Sequence, residues 1–232
     1  MYPTSQDTTF LDDLLRRSTP TFAQLPTVMF LNAELAVALQ AMEREANTGN
    51  RPAGTELGTL LGFSSTQGGL TGLEARWHDS EAFNPAIFLP QGQTDYRRVA
   101  LSFSYQGTAH THTRRDVTDP LVSFSGYDVL TLVRGFYQER VSMMICGNLL
   151  HVLVCCADQV ILEEGDLLPD MVVQSLTEAL ADHEGVIEID DNEIKEQAKG
   201  AMSVAAVMKA ATAARVGYYI GEPGGALRIV NR

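Results

Sequence analysis

The stretch from Arg140 to Gly165, RVSMMICGNLLHVLVCCADQVILEEG, is the most apolar part of the chain and constrains the rest, which must supply its cover. Val141 to Cys146 and Leu149 to Cys156 are short apolar runs separated by Gly147-Asn148, a pair whose tolerance of positive φ suits a two-residue hairpin turn. The second run hardly alternates, which fits a central strand covered on both faces. Gln159 to Leu162 follows closely enough to return as a neighbour, so an antiparallel unit is expected near 141–164. A buried helix is the competing reading, and Gly147-Asn148 in its interior would be costly. With Ser142, Gly147, Asn148 and His151 inside it, the block is too short and too polar for a bilayer span.

Around this block the sequence predicts mixed α and β elements. Thr8 or Thr9 is a candidate cap for a short helix through Arg17, and Thr27 for a helix near 28–46 carrying Val28, Leu31, Leu35, Leu39 and Met42 at helical spacing. Gly54 to Gly72 is too rich in glycine and short polar residues to assign, while Leu73 to Trp77 and Leu121 to Phe124 read as short strands. Arg98 to Tyr105 and Thr108 to Arg115 alternate about Gln106-Gly107, which predicts a second hairpin near 98–115. Its register would set Phe103 against His110, Leu101 against His112 and Arg98 against Arg115. Helices are expected near 127–140, near 167–183 and near 191–215, with a last hairpin about Glu222-Pro223-Gly224-Gly225. The expectation is a single α+β domain over 1–232, with a looser N-terminal part over 1–95 as the alternative division.

Charge is concentrated in one window. Between Asp158 and Glu196 stand thirteen acids (Asp158, Glu163, Glu164, Asp166, Asp170, Glu178, Asp182, Glu184, Glu188, Asp190, Asp191, Glu193 and Glu196) against Lys195 alone, which equals the whole chain's net charge of −12. Such a face disfavours nucleic acid, whose binders neutralise phosphates with Lys and Arg, and suits a basic protein partner met by the carboxylates from Glu163 to Glu193. Solubility is the plainer use of the same charge. No basic segment followed by an apolar one opens the chain, so a cytoplasmic location with no membrane partner is expected. Ala206, Ala210 and Ala214 lie four apart, a small-residue surface for a helix of the same chain or of a second copy, which makes a homodimer the expected assembly.

The residues that carry chemistry are few. His110-Thr111-His112 is the one H-x-H, and on a strand residues two apart point to one side, so both imidazoles can reach one metal with Asp116 or another acid. The H-x-H resembles the metal strand of cupin barrels, but Thr113-Arg114-Arg115-Asp116 stands where the following glutamate is expected, so no family is assigned. Arg98 and Arg115 would meet across the expected hairpin as a like-charge pair that an anion can relieve. His151 near Cys155 and Cys156 reads as a core histidine, because apolar surroundings make thiols inert. The three cysteines have neither disulfide nor zinc spacing, and Gly68-Gly69-Leu70-Thr71-Gly72 fits no nucleotide loop. No cofactor is implied. The leading expectation is a noncatalytic acidic interaction module: an adaptor, an assembly factor or an inhibitor of a basic or nucleic-acid-binding partner by charge mimicry. The alternatives are a metal-dependent or small-molecule enzyme using His110 and His112, with Asp116, and a phage or secretion-apparatus structural component.

Overall fold

The apolar block forms the middle of a nine-stranded sheet. The computed structural model describes residues 9–48, 55–64, 68–79, 88, 103–112, 123–124, 128–129, 132, 139–160 and 204–232. Strand β6 (Val141–Cys146) turns at Gly147-Asn148 into β7 (Leu149–Val154), pairing antiparallel from Cys146 opposite Leu149 to Val141 opposite Val154. Gly147 takes φ 60°, a left-handed conformation that glycine adopts without a steric cost. The other named elements are α1 (Leu11–Arg16), β1 (Val28–Met29), α2 (Ala33–Ala46), β2 (Thr55–Ser64), β3 (Leu70–Gly72), β4 (Arg76–Asp79), β5 (Phe103–Thr111), α3 (Val204–Ala213), β8 (Gly217–Gly221) and β9 (Leu227–Ile229). The strand order is β1-β9-β8-β7-β6-β5-β2-β3, with β4 also on β2. The β5–β6 pair is parallel and the other named pairs are antiparallel.

The two faces of the sheet are built from alternate residues of the same strands, as the pleat requires. Val141, Met143, Ile145, Leu150, Val152 and Val154 point to one side and pack with Leu11, Leu15, Leu35 and Leu39 of α1 and α2. Met144, Cys146, Leu153 and Tyr218 point to the other, under Phe124, Val129, Leu132, the Val207, Ala210 and Ala211 side of α3, and Ala214 just past its end. Ala210 and Ala214 are therefore buried against their own chain, so the facing element of the small-residue surface is this sheet. One polar residue ties the first face together. Asn32 accepts from Leu35 N at 2.8 Å as the cap of α2, and its amide donates to the Asp12 carboxylate and to Leu70 O.

Several expectations are corrected. The hairpin near 98–115 does not form: Gln106-Gly107 lies inside the single strand β5, so Phe103 and His110 are seven residues apart on one strand and do not face each other. Leu61 pairs with Gly107 and Gly62 with Tyr105, which leaves Gln106 as the extra residue of a β-bulge. The glycine is needed for close approach, since a Cβ on Gly107 would collide with the Val141 carbonyl oxygen of β6. The helix near 28–46 starts at Ala33 with Asn32 as its cap, because Val28 and Met29 pair with β9. Phe10, with no side-chain cap bond, precedes α1, in place of Thr8 or Thr9. β8 occupies the place beside β7 expected for Gln159 to Leu162, and Gln159 and Val160 lie outside any strand. Ser123 and Phe124 are not in a strand. Leu73 to Ala75 fall between β3 and β4, so the expected strand over Leu73 to Trp77 starts late, at Arg76.

The segment left unassigned, Gly54 to Gly72, contains β2, the longest named strand. Its glycines fit a strand here because Gly62 lies under the Phe103 ring, 2.6 Å from where a Cβ would stand. Of the expected helix near 127–140, Asp128, Val129 and Leu132 are helical and Arg140 is not. The helix near 167–183, residues 191–203 of the last expected helix, and the acids from Glu163 to Glu193 lie outside the described residues, as do Arg98, Arg115 and Asp116. Among the described residues no helix is long and apolar enough to cross a membrane.

Candidate metal centre

β5 lies between β2 and β6 in the sheet and carries His110, and His112 stands one residue past its end with its N–H bonded to Ile145 O at 3.0 Å. His110 stands in register with Met144, so its ring lies on the side of the sheet that α3 covers, and His112 follows on the same side. Their Nε2 atoms are 3.2 Å apart. β2 runs antiparallel to β5, with Gly58 opposite His110, and this brings Glu56 alongside His112, its Oε1 4.0 Å from Nε2. On the far side of β2, His78 is in register with Glu56. Asp128 comes from the helical segment above the sheet, with Oδ1 3.7 Å from His110 Nε2. Ligand atoms of Glu56, His110 and His112 all lie within 4.8 Å of one another, and Asp128 stands just outside that trio.

The imidazole pair at 3.2 Å is close to the spacing of two ligands on one ion, and the carboxylates at 3.7 and 4.0 Å stand wider than that. Four donors about 2.0–2.2 Å from a tetrahedral centre stand roughly 3.3–3.6 Å from one another. The two imidazoles alone can be joined by one N–H···N bond, but the carboxylates at 3.7 and 4.0 Å lie beyond hydrogen-bonding distance of those nitrogens. Burial pushes the His110 imidazole down to about 3 against the partial opposition of Asp128, and burial also lowers His112. Both rings are thus neutral at ordinary pH, the form in which imidazole ligates.

Burial lowers the proton affinity of His112, and Asp128 and the nearby Ser123 backbone partly oppose that lowering. Beside the trio on the same face stands Glu139, whose carboxylate accepts from Tyr105 Oη at 2.8 Å and is also hydrogen-bonded by Thr108, the inward residue next to His110 along β5. Burial pushes its carboxyl up to about 7; the Tyr105 and Thr108 bonds lower it, and the Asp128 charge adds to the rise.

His151 does not meet the cysteines as a catalytic base. Its Nδ1 is bonded to Tyr218 Oη at 2.7 Å, and burial pushes the Cys155 and Cys156 thiols up, Cys156 to about 11, so they are inert as nucleophiles. The sequence reading singled out His110 and His112 and missed Glu56, His78, Asp128 and Glu139. Glu56 falls in the unassigned glycine-rich segment, and Asp128 in the helix expected near 127–140. No protein-family model, curated protein or solved structure matches the chain.

The same imidazoles set an acid limit on stability. Burial holds His151 down to about 4 and His110 to about 3 in the folded chain, below the ordinary 6.5. The unfolded chain therefore binds more protons below pH 6.5, so stability present above that pH is lost as the pH falls toward 4. Glu139, raised to about 7, works the other way: its contribution is present at low pH and is lost as the pH rises through 7. With His112 also lowered, three imidazoles oppose one carboxyl, and the net loss falls between pH 6.5 and 4, about 3 kcal/mol from His151 alone. Urea midpoints that stay level from pH 7 to pH 4.5 would contradict this.

Proposed function

We propose that the protein is a metal-dependent enzyme whose ion is held by His110, His112 and Glu56, with Asp128 beside them. The observation that carries this reading is the pair of neutral Nε2 atoms 3.2 Å apart with a carboxylate oxygen on each side. Two imidazoles with carboxylates suit zinc, iron or manganese. A divalent ion there supplies Lewis acidity and a bound water of lowered pKa. The chain's own part is to fix the donors on the rigid β2 and β5 strands. Glu139, whose carboxyl burial raises and which accepts from Tyr105 Oη, is the candidate acid–base group for hydrolysis or proton transfer. Metal analysis of protein purified without an affinity tag tests it, with about one ion per chain expected. Protein that stays metal-free and takes up none of zinc, ferrous iron or manganese would overturn the reading.

A second reading rests on the charge distribution. The window from Asp158 to Glu196 would serve an acidic module meeting a basic protein partner. Asp158, its one described acid, is used within the chain, accepting from Phe22 N at 2.7 Å and lying 3.5 Å from Arg215. A partner captured from the native host that stays bound at the same strength in high salt would count against this use.

A further inference from the structure

β4 flanks the end of β2 that carries Glu56. On the side away from β5, β2 pairs with β3 at Leu61 to Phe63 and with β4 at Thr55 to Gly58, which sets His78 opposite Glu56 and Arg76 opposite Gly58. The pleat assigns the faces of this short strand. Trp77 packs with the core under α1 and α2, as does Leu57 opposite it, so Arg76 and His78 point to the other side, where the imidazole pair lies. His78, Glu56 and His112 thus line up across β4, β2 and the continuation of β5. Facing residues of an antiparallel pair hold their Cβ atoms about 4.5–5.5 Å apart, so His78 approaches Glu56 from one side as His112 does from the other. His78 is 6% exposed. A strand end that needed only packing would bury an aliphatic residue there, since a buried imidazole brings ring nitrogens whose desolvation must be compensated. The His78 ring is also among the charges that depress both His110 and His112, which puts the three imidazoles in one neighbourhood.

We infer that His78 is a third imidazole ligand of the centre, so that the ion is held by His78, His110, His112 and Glu56 on one face of three neighbouring strands. The inference rests on the metal reading and adds to it a donor from β4. Glu56, His110 and His112 supply three donors, and a tetrahedral shell has a fourth place. His78 lies outside the group of atoms already within 4.8 Å of one another, so its ring turns in over Glu56 when the ion binds. Adjacent strands are about 4.8 Å apart, which leaves the Cα atoms of His78 and His112 about 10 Å apart with Glu56 between them, and rings leaning in from the two outer strands meet over the middle one. Three imidazoles with one carboxylate select zinc or iron over magnesium and calcium, which favour oxygen shells.

The test loads the full chain with zinc, ferrous iron or manganese, whichever it holds most tightly, and counts the imidazoles in that ion's shell by X-ray absorption. Affinity for the same ion is read by competition with a chelator. Three imidazoles are expected in the wild type and two in His78→Ala, whose affinity should fall by more than the roughly 100-fold that bounds the loss of an outer-shell residue. Trp77→Phe changes the same strand on its opposite face and should keep the count, with an affinity within a few-fold of wild type. Two imidazoles in the wild-type shell, or a His78→Ala chain within about 100-fold of wild type, would overturn the ligand role. An equal loss in Trp77→Phe would overturn it too, by assigning the effect to displacement of β4. The wild-type count decides the matter even where His78→Ala fails to fold. A wild-type chain that takes up none of the three ions would instead overturn the metal reading beneath it, so the two failures are distinct.

Discussion

Replacing His110 or His112 with alanine is expected to abolish metal binding, while Glu56→Gln weakens it and keeps the imidazole pair. The two Nε2 atoms stand 3.2 Å apart, so loss of either ring removes a donor and leaves the other without its nearest partner. The loss should exceed the roughly 10–100-fold typical of an outer-shell residue. Thermal unfolding reads the effect without knowledge of any substrate. An ion that binds only the folded chain stabilises it by about 2.7 kcal/mol at one hundred times its Kd, and neither alanine variant should gain that increment. Asp128→Asn tests whether the fourth group is a ligand or a neighbour: a ligand's loss follows the histidines, a neighbour's loss leaves affinity within a few-fold. If His110→Ala and His112→Ala gain the full increment, the ion sits elsewhere.

Gly107→Ala is expected to be among the most destabilising single-methyl changes in the chain. The added Cβ would meet the Val141 carbonyl oxygen, a backbone atom in the parallel β5–β6 ladder that cannot move without breaking the register of the site strand. Overpacking against a flexible side chain costs about 1–3 kcal/mol, and rigid backbone puts this case at roughly 3 kcal/mol or more. Gly68→Ala is the contrast. Gly68 has φ +71° but nothing within 4 Å of the new methyl, so only the left-handed backbone is penalised, about 1–2 kcal/mol. Gly107 takes φ +158° as well, so its variant carries a backbone penalty on top of the clash, and urea unfolding of the two variants reads the excess due to close approach. Gly107→Ala should also lose metal affinity, because it displaces the strand that carries His110 and leads into His112. A Gly107→Ala protein as stable as the parent would show that the β5–β6 register is not the one described.

The mixed α+β class was legible in the sequence because the apolar runs at 141–154 and the helical spacing through Leu35, Leu39 and Met42 are strong local patterns. The same side of β5 for both histidines was legible too, since the two-residue strand period holds whichever strands lie alongside. The partners of that strand were not. Gln106-Gly107 has the composition of a hairpin turn, but its bulge is defined by Gly62 on β2 and Val141 on β6, far away in sequence. Thr55 to Ser64 failed to read as a strand because Gly58 and Gly62 lower its β-propensity, and the compensation, Phe103 lying over Gly62, is a tertiary contact. Glu56 and Asp128 were therefore invisible as companions of His110 and His112. Sequence offered Asp116 as the nearby acid, whereas pairing with β2 and the covering helical segment bring Glu56 and Asp128 there.

The most direct test is a crystal of the full chain grown with zinc or manganese, with anomalous diffraction recorded on both sides of the metal's absorption edge. The expected result is one peak between the Nε2 atoms of His110 and His112, about 2.0–2.2 Å from each, with a Glu56 oxygen in the same shell. An ordered chain with the two imidazoles bonded to each other and no peak near them, at metal concentrations that fill ordinary protein sites, would contradict it.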